Sequence, residues 1–405
     1  MSCLPKIVCV FLAGTPCLAE TITVCPRGCD HSSVIAAIDA AIPGDVVDIA
    51  AGTYVEAETI DSRGKAVTLR GATDSEGLPI TVLDGAGDHG VLLCINGEGR
   101  STRFENLVVR NGFAVTGGGL GCVASSPTLV NCRFEGNQSI SLGGAVWNYF
   151  SEPLLVDCVF MENHSAETAG AMYNGTSRPH LVRCLFRSNS AARLGGGIAN
   201  FTGSDPMLED CRFEDNVAPE GGGVFNFQSD PTLRDCEFVG NSFLGNLGES
   251  FGGAMANQDS SPSILRAAFI DNYGEERGGA IANLDGSEPR LEACVFSGNE
   301  TSGLGPSIHN EQSLPSLIDC VFEECCQIEP PTSYLDGGGN QLTIWCEDCP
   351  ENLDCRGDAV GAGDLGVLLG AWKSGDVRCD LDRSGEVDGA DVGLLFMAWG
   401  PCGAG

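Results

Sequence analysis

Pro127-Thr128-Leu129-Val130-Asn131-Cys132-Arg133-Phe134-Glu135-Gly136-Asn137 decides the fold, because its phrase Pro-x-Leu-x-x-Cys-x-Phe-x-x-Asn returns at nearly constant spacing. The next copy runs Pro153, Leu155, Cys158, Phe160, Asn163, and later copies open at Pro179, Pro206, Pro231, Pro262, Pro289 and Pro315. The steps are 26, 26, 27, 25, 31, 27 and 26 residues, and the long one coincides with an inserted Gly/Asn/Ser-rich segment, Asn241 to Ser250. The period survives the insertion, as it does when extra residues bulge from a turn. Apolar residues two apart within such a period exclude a helical hairpin and fit one turn of a parallel β-coil.

In a coil of this kind each strand pairs with its counterpart in the next turn, about 4.8 Å away, so equivalent residues stack in columns. Leu129, Leu155, Leu181, Leu208 and Leu233 form one apolar column, and Phe134, Phe160, Phe186, Phe213, Phe238, Phe269, Phe296 and Phe322 another; both are expected to fill the lumen. A second phrase, Gly-Gly-Ala/Gly-x-x-Asn, appears as Gly143-Gly144-Ala145 with Asn148 and as Gly252-Gly253-Ala254 with Asn257. Its Asn column continues through Asn174, Asn200, Asn226, Asn283 and Asn310. Both Asn columns are expected at turns, each amide bonding the next copy of itself. The column Cys132, Cys158, Cys184, Cys211, Cys236, Cys294, Cys320 is explained first by packing, since buried Cys behaves as a small hydrophobe.

These residues resemble the right-handed parallel β-helices of the pectin-lyase-like superfamily, and the Gly-Gly-Ala and Asn-rich coils are similar to the repeats of polymorphic outer-membrane proteins. The resemblance spans roughly residues 21 to 345. It implies architecture more than activity, because that superfamily holds lyases, hydrolases, esterases and proteins with no known reaction.

The chain has 405 residues and a formal charge of −33 from 55 acidic and 22 basic side chains. That balance disfavours nucleic acid and anionic membrane surfaces as partners. Residues 1–19 carry one Lys, an apolar run from Ile7 to Ala13 and a small-residue ending, the pattern of a secretory signal. No later stretch is a continuous apolar span long enough for a bilayer, so the expected location is secreted or cell-surface. Cys25 and Cys29 flank Pro-Arg-Gly and are expected to form a local bridge, with a metal site the lesser option. Ser32 and Ser33 are placed to cap a short helix whose Ile35, Ile38 and Ile42 share a side and close the end of the coil before Pro43-Gly44 stops it. The expected division is a signal over 1–19, a parallel β-helix over 20–345, a linker over 346–352 and a small α-helical calcium-loop module over 353–405.

That last module is a tandem repeat: Asp364-Leu-Gly-Val-Leu-Leu-Gly-Ala-Trp372 against Asp391-Val-Gly-Leu-Leu-Phe-Met-Ala-Trp399, a step of 27. Ahead of the second helix runs Asp380-x-Asp382-x-Ser384-Gly385-Glu386-x-Asp388-x-x-Asp391. Calcium takes six to eight hard oxygens, which a twelve-residue loop supplies from positions 1, 3, 5, 7, 9 and 12, with Gly at 6 for the sharp turn. Asp380, Asp382, Ser384, Asp388 and Asp391 offer side-chain oxygens there and Glu386 its carbonyl, so Ca²⁺ is the expected ion. The first loop has Leu353, Cys355 and Gly357 at equivalent positions and is expected to bind weakly or not at all. The duplicated loop and helix resemble dockerin modules, which implies cohesin-like or other extracellular protein partners. The hydroxyl residues that family recognition often uses are replaced by Gly389-Ala390 and Ala362-Gly363.

No catalytic constellation stands out. Asp157, Asp210, Asp235 and Asp319 share the position before the Cys column, where stacked carboxylates would meet a cation or sugar but a solvated turn face explains them as well. His31, His89, His164, His180 and His309 are scattered, although His164 and His180 lie on adjacent coils. Tyr149, Phe150, Tyr173, Phe201 and Phe227 flank the second Asn column and are candidates for a sugar-binding strip. Two functions follow: a calcium-binding solenoid that binds glycan or protein at the cell surface, and, as the alternative, a polysaccharide lyase or glycoside hydrolase with a dispersed cleft.

Overall fold

The computed structural model describes residues 19–243, 250–325, 327–329, 333–343, 353, 359–373, 379, 381–382 and 384–401. The expected signal thus lies, Ala19 apart, outside the described residues, as does the 346–352 linker.

One rung consists of the strands Thr128–Val130, Arg133–Glu135, Gln138–Leu142 and Val146–Tyr149. Each pairs in parallel with its counterpart one rung on: Leu129 opposite Leu155, Phe134 opposite Phe160, Val146 opposite Met172. Stacked this way, the rungs build sheets of 13, 12 and 11 strands, here called the first, second and third sheets, and a smaller ribbon of 4 strands. The chain turns between sheets through single residues in the left-handed region, such as Asn131 at φ +50°, Gly136 at +60°, Gly143 at +62° and Phe150 at +51°. Asn, Asp and Gly tolerate that region best, which is why they recur at the corners.

The second glycine of the Gly-Gly-Ala phrase answers a different need. A Cβ on Gly196 would collide with the Gly222 carbonyl and lie 2.5 Å from the Val217 amide nitrogen. Backbone meets backbone there, and no side chain has room.

The lumen is filled as the repeat requires. The Phe134-to-Phe322 column is a continuous stack whose neighbouring ring centroids are 4.5 to 5.1 Å apart with interplanar angles of 12° or less. Offset parallel rings at this separation add stabilisation beyond their buried area. The column cysteines, and Cys94 and Cys122 beside them, are buried free thiols. The column thiols donate weakly to backbone carbonyls, as Cys132 Sγ does to Phe104 O at 3.3 Å.

Polar ladders run beside the apolar columns. Asn137 Nδ2 donates to Asn163 Oδ1 at 3.0 Å and to Val109 O, in the strand Leu107–Arg110, at 3.0 Å. The second Asn column is not at a turn. Asn148 to Asn310 lie within the third-sheet strands, pointing inward, and pass hydrogen bonds of 2.8 to 2.9 Å from each Nδ2 to the next Oδ1. A buried amide with both ends matched by its neighbours removes the cost that would bar it from the core. A third ladder, of serines, runs from Ser125 through Ser151, Ser177, Ser204, Ser229, Ser260 and Ser287 to Ser313, each backbone N–H donating to the next Oγ at 3.0 to 3.2 Å.

The ends depart from the repeat. Helix α1, Val34–Ala40, begins at Ser33, whose Oγ accepts from Ala36 N. The Glu56 carboxylate accepts from Val34 N and Ser33 Oγ, while Lys65 Nζ donates to the carbonyls of Ile38, Asp39 and Ala41, so each helix end meets a charge of the sign its dipole favours. Val34, Ala37, Ile38 and Ala41 are buried with the lumen residues, whereas Ile42 is 40% exposed, because the helix ends before its side can turn inward. The expected Cys25–Cys29 bridge is present, at 2.02 Å. At the other end the pairing continues past the last consensus phrase: Ile328–Glu329, Leu335–Asp336 and Gln341–Thr343 add one more turn. Asn340 keeps that turn in register, its Oδ1 accepting from Cys320 N and its Nδ2 donating to Leu317 O, both at 2.9 Å.

In the C-terminal part, α2 (Ala362–Gly370) and α3 (Gly389–Met397) pack over a separate core of Leu353, Val360, Leu368, Cys379, Val387 and Leu395. Ala359–Val360 pairs antiparallel with Gly400–Pro401.

Candidate functional site

Outward-facing positions of the third sheet collect aromatic rings. Trp147, Tyr149 and Phe150 stand on one rung, Tyr173 on the next, then Phe201, then Phe225 and Phe227. Trp147 and Tyr149 stack with centroids 5.9 Å apart, and Phe150 meets Tyr149 edge-on at 4.3 Å. Tyr149 and Phe150 are 40% and 56% exposed, which is the accessible end of the strip. Phe225 is instead buried among Ala169, Ala199 and Ala256 and serves as its floor. The five rings expected from sequence are thus brought together, and Trp147 and Phe225 join them. The Trp147 Nε1 proton has no hydrogen-bond partner although it is buried.

A second concavity opens where the second sheet meets the small ribbon. It is an open groove of about 690 Å³ lined by Val55, Asp84, Asn111, Phe113 and Gln138, among others. Its carboxylate is committed: Asp84 accepts from Arg110 Nε at 2.8 Å, from Asn111 Nδ2 at 3.1 Å and from Ala86 N at 2.9 Å. Burial works against ionisation, but these hydrogen bonds and the Arg110 charge outweigh it and hold the Asp84 carboxyl below the usual carboxylate range. Such a group is a poor general acid.

The aspartate column occupies the left-handed corner between the first and second sheets, with Arg183 and Arg266 as further members. Arg183 makes a two-pronged pair with Asp157 at 2.7 and 2.9 Å, and Arg266 with Asp235 at 2.6 Å on both prongs. These pairs are half exposed and structural rather than chemical. The histidines do not converge: His164 Nδ1 meets Ser190 Oγ at 2.9 Å on the ribbon, while His180 sits on the first sheet 3.5 Å from Glu209. His309 is 5% exposed, and burial together with the Arg277 charge, only partly offset by Glu311, pushes its pKa down to about 4.

Of the expected calcium ligands, Asp380 lies outside the described residues. Gly385 takes the left-handed φ of +96° needed for the sharp turn, and Ser384 Oγ lies 3.1 Å from the Glu386 carbonyl oxygen. Asp391 is fully buried, its two oxygens accepting from Asp382 N at 3.1 Å and Asp388 N at 2.7 Å, which leaves each a lone pair. The donor chemistry is all hard oxygen and fits calcium. Among the described residues no three His, Cys, Asp or Glu side chains converge on one point. In the first loop Leu353 is part of the module core instead of facing a ligand position.

Residues 73–261 match the family model of the right handed beta helix region. The chain carries a right-handed β-helix. No curated protein matches its sequence. Among solved structures, the β-helix chain is similar to a mannuronic acid specific polysaccharide family 6 lyase from human gut microbiota, at 12% identity over 75% of this chain and 83% of that one, TM-score 0.40. It is similar also to the catalytic unit of a GH87 alpha-1,3-glucanase from Streptomyces thermodiastaticus (12% identity, 82% and 70% covered, TM-score 0.43) and to pectate lyase Pel9A (13%, 84% and 83%, TM-score 0.41). Likeness at this level says nothing of activity. No helix of the described residues is long and apolar enough to cross a membrane.

Proposed function

We propose that this chain is a secreted or cell-surface binding solenoid that takes up glycan or protein along the outer face of its third sheet. The observation that carries this is the run of rings from Tyr149 to Phe227, part-exposed on successive rungs of a rigid scaffold. Exposed aromatic surface of this kind marks an interaction site. Catalysis is the weaker reading because the one carboxylate lining the groove beside Phe113 is already bound by Arg110 and Asn111.

The C-terminal module supplies attachment in this reading. Asp380, Asp382, Ser384, Glu386, Asp388 and Asp391 hold Ca²⁺, which neutralises the acidic loop and orders α3. Leu369, Trp372, Phe396 and Trp399, between 42% and 53% exposed at matching positions of the duplicated helices and the residues just after them, offer an apolar face to a cohesin-like or other extracellular protein. Helix α1 closes the first rung against water.

The test is a screen of the secreted full chain against neutral and acidic polysaccharides, following both retention and release of reducing or unsaturated products. Retention without products is expected. Product formation from any polymer would instead establish the alternative, a polysaccharide lyase or glycoside hydrolase.

A further inference from the structure

The aromatic strip has a spacing as well as a composition. Tyr149, Gly175, Phe201 and Phe227 occupy one outward column in direct register. Gly175 breaks the column chemically but not physically. A Cβ there would lie 3.0 Å from Tyr173 Cε1 and 3.1 Å from Tyr149 Cδ2, so the Tyr173 ring lies across the glycine and fills the gap. Tyr173 then meets Phe201 at 5.4 Å, and Phe201 meets Phe227 at 5.7 Å. The result is a row, Tyr149, Tyr173, Phe201 and Phe227, that takes one ring from each of four consecutive rungs, with Trp147, Phe150 and Phe225 beside it.

The advance per rung is about 4.8 Å, close to the length of one unit in an extended pyranose chain. Flat C–H faces of equatorially substituted sugars stack on aromatic rings, and hydroxyls bond to a polar rim. Along the strip the following corner carries Phe150, Thr176, Thr202 and Gln228, and the next member of that corner column is an acid, Asp259, which accepts from Gln228 Nε2 at 3.0 Å. With a formal charge of −33 on the whole chain, a polyuronate would approach against repulsion.

We infer that the strip from Tyr149 to Phe227 is a subsite row for a neutral, extended, equatorially linked polysaccharide lying parallel to the solenoid axis, one sugar per rung. This assignment rests on the binding function proposed above and narrows it to one ligand class. Gly175 is a positioning residue: its missing side chain is what lets Tyr173 lie in line.

Affinity electrophoresis of the full chain in gels containing hydroxyethylcellulose, galactomannan, polygalacturonate or alginate tests it. Retardation is expected in a neutral gel and not in the acidic ones. Tyr149→Ala, at an exposed position, should weaken retardation about tenfold, the effect of losing one ring contact. Gly175→Ala keeps every ring but displaces Tyr173 and should weaken binding similarly, with the melting temperature checked to exclude misfolding. Stronger retardation by polygalacturonate or alginate, or neutral binding unchanged in a Tyr149→Ala, Phe201→Ala double variant, overturns the assignment while leaving a glycan binder. Retardation in no gel overturns it too, and the broader reading then rests on capture of a protein partner.

Discussion

Glu98 is 2% exposed, and its carboxylate accepts from Ser62 Oγ and Gly64 N at 2.7 Å, from Asn96 N at 2.8 Å and from Ser125 Oγ at 2.9 Å. It terminates the serine ladder with an acceptor that gives nothing back. Burial opposes its ionisation, but the hydrogen bonds from Ser62, Asn96 and Gly64 prevail and hold it below the usual glutamate range. Glu98→Gln turns one oxygen into a donor facing donors, and a loss of about 2 kcal/mol is expected in urea unfolding at pH 7. Since the folded pKa lies below the unfolded one of about 4.3, the wild-type advantage is present above that value and fades as pH falls through the folded pKa. His309 works over a higher window. Its folded pKa of about 4 lies below the ordinary imidazole value, so the unfolded chain takes up the proton first as pH falls. Stability is full above about pH 6.5 and declines toward pH 4. By pH 5 the loss should be about 1 kcal/mol after allowing for screening, and a His309→Asn variant should show none of that slope.

Among the elements, the second Asn ladder allows a comparison within one column. Asn200 is interior: it donates to Asn226 Oδ1 and accepts from Asn174 Nδ2 at 2.8 Å each. Asn148 is terminal, and its Oδ1 has no partner. Asn200→Ala orphans a buried donor and a buried acceptor, whereas Asn148→Ala orphans only the Asn174 acceptor and removes an unmet one. With about 1 to 3 kcal/mol per orphaned group, the interior variant should lose roughly twice as much, read from chemical denaturation midpoints. Equal losses would mean the ladder is not a chain of paired amides. The repeat itself was legible because stacking turns identity between copies into contact, so Leu129, Cys132 and Phe134 announce a column before any coordinates. The placement of Asn148 inside a strand was not legible, since an Asn after a glycine pair is also what a turn looks like. The serine ladder left a signal, Ser-x-Pro before every copy from Ser125-Ser126-Pro127 to Ser313-Leu314-Pro315, but serine before proline is common in loops. Of the last rung only the closing strand, around Leu342, was legible, because Asn340 takes the role of a consensus residue from a different spacing. Tyr173 lying over Gly175 depends on register between rungs, which no single copy contains.

At the scale of the whole molecule, two cores do not share residues: the lumen column and the small cluster around Leu368 and Leu395. A solenoid is stabilised rung by rung through nearest-neighbour contacts. A module as small as the second has too little apolar interior to stand without a staple. The calcium loop is the proposed staple, and its acids Asp382, Glu386, Asp388 and Asp391 repel one another when no cation lies between them. Binding only the folded loop stabilises it by about 2.7 kcal/mol at a hundredfold excess over Kd, which for so small a unit raises its melting temperature by about 10 °C or more. Chelation with EDTA should therefore lower a melting transition reported by Trp372 and Trp399 fluorescence and by loss of helical signal, and restored calcium should reverse it. The β-sheet transition should not move, because the solenoid is held by contacts between its own rungs and its core shares no residue with that of the module. Asp391→Ala should abolish the calcium response and also weaken α3 by removing its capping carboxylate; Asp382→Asn, which leaves that cap intact, separates the two effects. If EDTA leaves both transitions where they are, the loop is only an acidic turn, and attachment must come from the exposed helix faces without a metal.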